Sequence, residues 1–271
     1  MESDASPATS EPSTPELDSL KRYIAGMSRA WEHDIKHLVQ NAELGGADAQ
    51  LLQDVVQDAH WRAMHYGEAC AVLLGDQNGI AFLPVIRSLY ETFLALSFLA
   101  DRSEADRVRE AKVAVVHPLF YTLWQIRTNR RLDDDGSIAA EVHANIDDFR
   151  STVSDEVLAV AASRESKHSW TGMHASELIA KYDARSSKVF YSNLSNLGHG
   201  HNKLIARRVM RWKAETYVEQ AAHTLLRMKQ IRRLMQDLLF LRFSDPDIDE
   251  FGKGDTMLVR YPHATIRTVR P

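Results

Sequence analysis

Arg87 and Glu91 stand four residues apart in the stretch Phe82-Leu-Pro-Val-Ile-Arg-Ser-Leu-Tyr-Glu-Thr-Phe-Leu-Ala-Leu-Ser-Phe-Leu-Ala100, the most hydrophobic of the chain. That spacing brings both side chains to one helix face, where an arginine and a glutamate can form a charge-assisted, bidentate pair. Apolar side chains occupy nearly every side of this helix, so it reads as buried. Charges held away from water must be paired or otherwise satisfied. Two roles follow from the chemistry. As a structural lock, the pair ties helices together. As a site, Arg87 holds an anionic group while Glu91 orients it or acts as a base.

A second constellation is Tyr191-Ser-Asn-Leu-Ser-Asn-Leu-Gly-His-Gly-His201. On a helix, Tyr191, Ser195 and His199 fall at four-residue steps and present phenol, hydroxyl and imidazole along one edge. Gly198 and Gly200 flank the imidazole and permit a close backbone approach or a helix break. An imidazole exchanges protons near neutral pH, and a neighbouring hydroxyl can fix its tautomer or bind substrate. The plainer reading is a helix terminus with polar capping residues.

Lys203, Arg207 and Arg211 then form an i, i+4, i+8 basic stripe, with Ile205, Val209 and Trp212 on another side. A solvated helix face looks like this, and so does a surface that tracks an RNA backbone or an acidic partner. For metals, His33 with His37, His60 with His65 and Glu219 with His223 are the same-face or near-face pairs. None makes the repeated E-x-x-H of di-iron bundles or the H-E-x-x-H of zinc proteases, so no metal and no cofactor is expected. The chain has no phosphate-cradling loop, no G-x-S-x-G elbow and no dinucleotide fingerprint. Cys70, the single cysteine, lies in an apolar run and reads as packing, as do Trp31, Trp61 and Trp124.

The elements that must position these groups are helical throughout. Leu20, Ile24, Met27, Trp31, Ile35 and Leu38 recur at three- and four-residue steps in a first helix that ends at Gly45-Gly46. A second runs from about Asp48 to Leu74 and is broken by Gly75-Asp-Gln-Asn-Gly79. The Arg87 helix follows, with Pro84 tolerated in its first turns. Another spans about Glu104 to Arg130. Asp133-Asp-Asp-Gly136 is a loop, and residues 131–137 are a candidate sub-boundary. One or two helices occupy 137–163, a polar loop with Trp170 covers 164–172, and a short helix covers 175–182. Residues 188–243 read as mostly helix, interrupted near Gly198.

Residues 1–15 are rich in Ser, Pro, Thr and Glu and read as a disordered lead, while 244–271 read as an extended tail or arm. The fold class expected is therefore all-α, a bundle of six to eight helices over 16–243. With 271 residues, 44% hydrophobic and 26% charged, the chain can bury a sizeable core. The net charge of -4 argues against wholesale coating of nucleic acid. Local asymmetry remains, with nine Lys or Arg against two Glu over residues 200–233. The N-terminus lacks the pattern of a signal peptide, and the charge-free run between Glu91 and Asp101 is too short to cross a bilayer. A cytoplasmic protein without membrane contact is expected.

Arg87-Ser-Leu-Tyr-Glu-Thr-Phe, then His168-Ser-Trp-Thr-Gly-Met, then Tyr191-Ser-Asn-Leu-Ser-Asn-Leu-Gly-His199 occur in an order that resembles an uncharacterised bacterial family of helical proteins. In that family an R-S-x-x-E helix precedes a Trp-containing loop and a Y-x-x-L-S-x-x-x-H segment. The resemblance covers roughly residues 50–235 and implies a helical fold with a shared polar site. More distantly, a helical bundle with buried Arg and His is similar to HEPN proteins, many of them dimeric, metal-independent RNases of toxin or antiphage systems. Their Arg and His separated by four residues are missing here, because Arg29 to His33 and Arg164 to His168 are each one residue too close.

Two expectations follow from these readings. In the first, the chain is a metal-independent ribonuclease of the toxin or antiphage type and a homodimer. His199 is its acid or base, Arg87 stabilises phosphorane charge, and Glu91 positions Arg87. Tyr191 and Ser195 bind or orient the substrate, while Lys203, Arg207 and Arg211 track RNA. In the second, the chain is a noncatalytic partner-binding or sensing module, and Arg87, Glu91 and His199 are a buried structural network.

Overall fold

The computed structural model describes residues 14–41, 47–183, 207 and 209–239, and among these every regular element is helical. Eight α-helices are described: α1 (Pro15–Asn41), α2 (Ala47–Gly75), α3 (Gly79–Ala100), α4 (Glu104–Thr128), α5 (Ser137–Phe149), α6 (Asp155–Ser163), α7 (Ala175–Tyr182) and α8 (Ala214–Leu238). A short 3-10 turn, Arg130–Leu132, links α4 to α5. The all-α bundle expected from periodicity is thus present, with α2, α4 and α7 bounded within a residue or two of the predicted ends. Residues 1–13 of the lead, the 244–271 tail and the Tyr191–His201 segment lie outside the described residues, while Pro15, placed at the end of the lead, opens α1.

Local chemistry sets the starts of several helices. The Asn78 side chain accepts from the Ala81 N–H at 3.1 Å and starts α3. Ser103 Oγ accepts from the Asp106 N–H at 3.3 Å and donates to the Asp106 carboxylate at 2.7 Å, which starts α4. Asp133 accepts from the Ile138 and Ala139 N–H groups at 3.0 and 2.8 Å, so an acidic side chain meets the first turn of α5. Gly79 is required for packing. A Cβ there would sit 2.7 Å from Val209 and 2.8 Å from Trp212, whose side chains close over the N-terminal end of α3.

Helices α1, α2, α3 and α8 pack on one another around a core that includes Leu17, Leu20, Ile24, Val56, Phe82, Leu89, Tyr90, Phe98, Leu225 and Ile231, each essentially inaccessible. Each large apolar side chain so buried contributes roughly 1.5–3 kcal/mol. By length and apolarity α3 could cross a bilayer, but here its side chains are buried against α2, α7 and α8. α4 leans on α2 and carries α5 and α6. Its Val113 and Val116 meet Val153, Val157, Leu158 and Ala161 in a second, smaller core. The 131–137 turn lies between helices that both contribute to or border that smaller core.

A three-helix lock joins α7 to the main core. Tyr90 donates to the Asp183 carboxylate at 2.7 Å, and Arg227 donates to the same oxygen while its guanidinium lies 4.5 Å over Tyr90 and 4.7 Å over Phe93. With α7 held against α3 in this way, the loop before it is brought beside Phe98.

Two tryptophan assignments need correction. Trp61, expected in the core, is 53% exposed. On α2 it shares the outer edge with Asp54, Asp58 and His65, while Ala59, Ala63 and Met64 take the inner one. Helical phase outweighed the apolarity of the indole, which rests edge-on against His65 at 4.3 Å. Trp124 is half-buried, in a stack with Tyr121 at 5.7 Å. Cys70 is fully buried, and burial pushes its thiol up to about 12, so it stays protonated.

Candidate functional site

On α3, residues Pro84, Arg87, Ser88, Glu91 and Ala95 form a narrow edge of small or polar side chains on an otherwise apolar helix, and this edge is not fully covered. Here the structure corrects the expectation of a pair sealed in the interior. Arg87 Nε donates to Glu91 Oε1 at 2.9 Å, and the two side chains remain 20% and 36% exposed. They line a cleft of about 480 Å³ bounded by α2, α3, the 164–174 loop and α7. Such a volume is that of a small-ligand site.

The cleft gathers groups from separate segments. Arg62 and Tyr66, one turn apart, project from α2. Arg62 also pairs at 2.6 Å with the half-exposed Asp58. Ser88 and Thr92 on α3 send their hydroxyls back to the carbonyls of Pro84 and Ser88 at 3.1 and 2.9 Å, so both are held by their own helix. From the loop come Lys167, His168, Ser169, Trp170, Met173 and His174. Lys167 Nζ lies 3.2 Å from His174 Nε2, and the ring of His168 meets Tyr121 edge-on at 5.8 Å. Among the described residues the ionisable lining side chains are thus two imidazoles, three cations, the phenol of Tyr66 and the carboxylate of Glu91. The remaining wall is apolar, with Val55, Leu96, Leu99, Met173, Leu178 and the indole of Trp170, which stands edge-on to Phe98 at 5.4 Å.

The loop owes its shape to an ion pair that does not face the cleft. Arg164 donates to both carboxylate oxygens of Glu110, at 2.6 and 3.1 Å, and to the Trp170 carbonyl at 2.8 Å. Glu110 is only 4% exposed and Arg164 19%. The buried His117 places Nε2 at 3.2 Å from the Arg164 carbonyl and must donate there, so it carries its proton on that nitrogen. Desolvation holds its pKa below the usual imidazole value.

Arg87 and Glu91 are therefore brought to the cleft, together with the His168–Met173 segment of the motif series. Tyr191, Ser195, His199 and Lys203 lie outside the described residues. Arg207 and Arg211 are exposed and do not line the cleft. Their neighbours Val209 and Trp212 sit against Gly79, about 12 Å along the helix axis from Arg87. The metal pairs come apart where they are described. His60 is buried while His65 is exposed, and His223 keeps its contact with Glu219 at 3.9 Å. Among the described residues no three His, Cys, Asp or Glu side chains converge as a metal-binding group.

Sequence reasoning missed Arg62, Tyr66, Lys167 and His174 as site residues, and treated His168 only as part of a motif. A helix-face reading of α2 against α3 could have paired Arg62 and Tyr66 with Arg87. Comparison with known proteins finds no family model, no curated protein and no solved structure that matches the chain. The cleft's own chemistry therefore carries the functional reading.

Proposed function

We propose that the cleft binds single-stranded RNA and cleaves it without a metal ion. The observation that carries this is the meeting of His168, His174, Arg87, Lys167 and Arg62 around one opening, with Glu91 bonded to Arg87. In such a reaction one imidazole removes the 2′-hydroxyl proton as O2′ attacks the adjacent phosphorus. The other imidazole protonates O5′ as the P–O5′ bond breaks, leaving a 2′,3′-cyclic phosphate and a 5′-hydroxyl. Arg87 stabilises the charge on the phosphorane oxygens, with its orientation fixed through Nε by Glu91. Lys167 and Arg62 hold flanking phosphates. The apolar wall with Trp170 takes a base, since stacking on an indole is tolerant of sequence. His199, the imidazole to which the sequence points first, lies outside the described residues.

The resemblance to HEPN proteins is in keeping with this reading and adds its setting, a toxin or antiphage effector. In that setting, expression of wild type and not of Arg87→Ala arrests growth. The reading is tested by incubating the protein with labelled single-stranded RNA, with and without EDTA, beside Arg87→Ala, His168→Ala and His174→Ala. Cleavage that survives EDTA and falls about 10²- to 10⁴-fold in a histidine variant is the expected result. A second reading, a noncatalytic binding module, is favoured by the extent of the apolar wall. Its mark is saturable RNA or ligand binding that depends on Arg87 with no turnover. Wild type that neither binds nor cleaves RNA overturns the assignment.

A further inference from the structure

The 164–174 segment that closes the cleft is folded around one side chain, and that side chain is anchored on a helix that contributes nothing to the cleft wall. Among the described residues, the hydrogen bonds of the Arg164 side chain run to two places: the Glu110 carboxylate on α4 and the carbonyl of Trp170. Gly172, at φ +72°, lies directly over its stem, and a Cβ on Gly172 would come within 2.9 Å of Arg164 Cδ. Two further ties to α4 flank the pair: His117 to the Arg164 carbonyl, and Tyr121 against the His168 ring. The cleft residues His168 and Trp170 hang from this arrangement, and His174 closes the segment as the N-cap of α7, its N–H donating to Glu177.

Docking of α6 on α4 does not explain the pair. Val113 and Val116 already hold Val157, Leu158 and Ala161 by apolar contact, and Arg164 follows the last turn of α6. A buried ion pair is also a poor source of net stability compared with apolar side chains of similar volume, but it fixes geometry closely when both ends are fully bonded. The third bond, to the carbonyl of Trp170, transmits that geometry to the cleft.

We infer that Glu110 and Arg164 are positioning residues that hold the His168–His174 segment as a preformed jaw of the cleft, so that α4 sets the shape of a site it does not line. What the jaw grips rests on the reading of the cleft as an RNA site. That the pair holds the jaw does not.

The test is hydrogen–deuterium exchange on the full chain, read by peptide, for wild type, Arg164→Lys, Glu110→Gln and Gly172→Ala. Lysine keeps the charge of Arg164 but loses the two-pronged bond and the reach to Trp170. Gly172→Ala leaves both charges in place, crowds the Arg164 stem and strains the loop backbone at its positive φ. The expected result is exchange at least ten-fold faster across 165–174 in all three variants, with α3 and α8 unchanged and far-UV circular dichroism preserved. Binding of a fluorescein-labelled single-stranded oligoribonucleotide should weaken at least ten-fold in the same variants. Unchanged exchange across 165–174, or acceleration spread evenly over α4, α5 and α6, overturns the inference, since a merely structural pair would loosen the smaller core as a whole. Faster loop exchange with unchanged RNA affinity also overturns it, because the jaw would then not matter to the site. If wild type binds no RNA at all, the RNA reading fails, and the exchange pattern alone still decides whether the pair holds the jaw.

Discussion

In the Arg87–Glu91 pair one Nε–H···Oε1 bond of 2.9 Å spans a single turn of α3, with both side chains partly open to the cleft. In the Glu110–Arg164 pair two bonds join α4 to the end of α6 across 54 positions of the chain, with the carboxylate all but sealed from water. The functional groups are identical and the surroundings are opposite. A buried charge without its partner has no water to fall back on, whereas a cleft charge keeps solvent as an alternative. Loss of one sealed ionisable group should therefore cost stability first, and loss of a cleft group should cost binding and chemistry first. Variants can break this division.

The largest effect is expected from Arg164→Ala. Removing one member of a buried pair costs about 3–5 kcal/mol, and without Arg164 the Glu110 carboxylate keeps only the looser contact with Arg109 at 3.9 Å. For a domain of this size that lowers the melting temperature by roughly 10 °C, measurable by circular dichroism at neutral pH. A shift within about 2 °C would show that water or a rearranged neighbour satisfies Glu110, and the contrast between the two pairs would collapse.

Acid should act on the sealed side next. His60 is completely buried, and burial first, with the charge of Arg232 second, pushes its pKa from 6.5 down to about 3. The unfolded chain binds this proton below about 6.5 and the folded chain refuses it until about 3. The stability from neutral His60 is therefore complete above the unfolded value and lost as pH falls through that window. At pH 5 the loss is about 2 kcal/mol, from 1.4 kcal/mol per pH unit over about 1.5 units. Melting temperatures compared at pH 7.5 and pH 5 should show it, and His60→Leu should flatten the difference. An equal acid loss in that variant would assign it to other groups.

Arg87→Ala reverses the pattern. An i, i+4 pair in contact with solvent contributes less than about 1 kcal/mol, so the melting temperature should hardly move while RNA affinity or turnover falls ten-fold or more. If the variant instead melts as early as Arg164→Ala, the α3 pair is a lock, and the noncatalytic reading gains.

What could be read in the sequence divides along similar lines. Periodicity located α2, α3 and α7 because local spacing governs which face of a helix meets the core, and Arg87 and Glu91 stood out as charges in an apolar run. Glu110 and Arg164 gave no signal, since a pair 54 residues apart has no spacing rule and each side chain sits in a segment of ordinary polarity. Trp61 misled because size and apolarity suggest burial, while its phase with Asp54, Asp58 and His65 puts it outside. The cleft itself was illegible as a cleft. It exists because Asp183 and Arg227 hold α7 against α3 and thereby carry the 164–174 loop to Phe98.

The smallest and most discriminating effect belongs to Arg62. Its bond to Asp58 is short, at 2.6 Å, but both side chains are about half exposed, so Arg62→Ala should change stability by no more than about 0.5 kcal/mol. If Arg62 meets a phosphate in the cleft, its loss should act on the ionic part of binding. The slope of log affinity against log salt for a single-stranded oligoribonucleotide should flatten by about 0.7, the share of one released counterion. Arg87→Ala should flatten it by a similar step, and Arg211→Ala, exposed and outside the cleft lining, should not. A slope that responds to Arg211 and not to Arg62 would move the RNA off the cleft and onto the basic stripe, leaving the cleft charges to some other ligand.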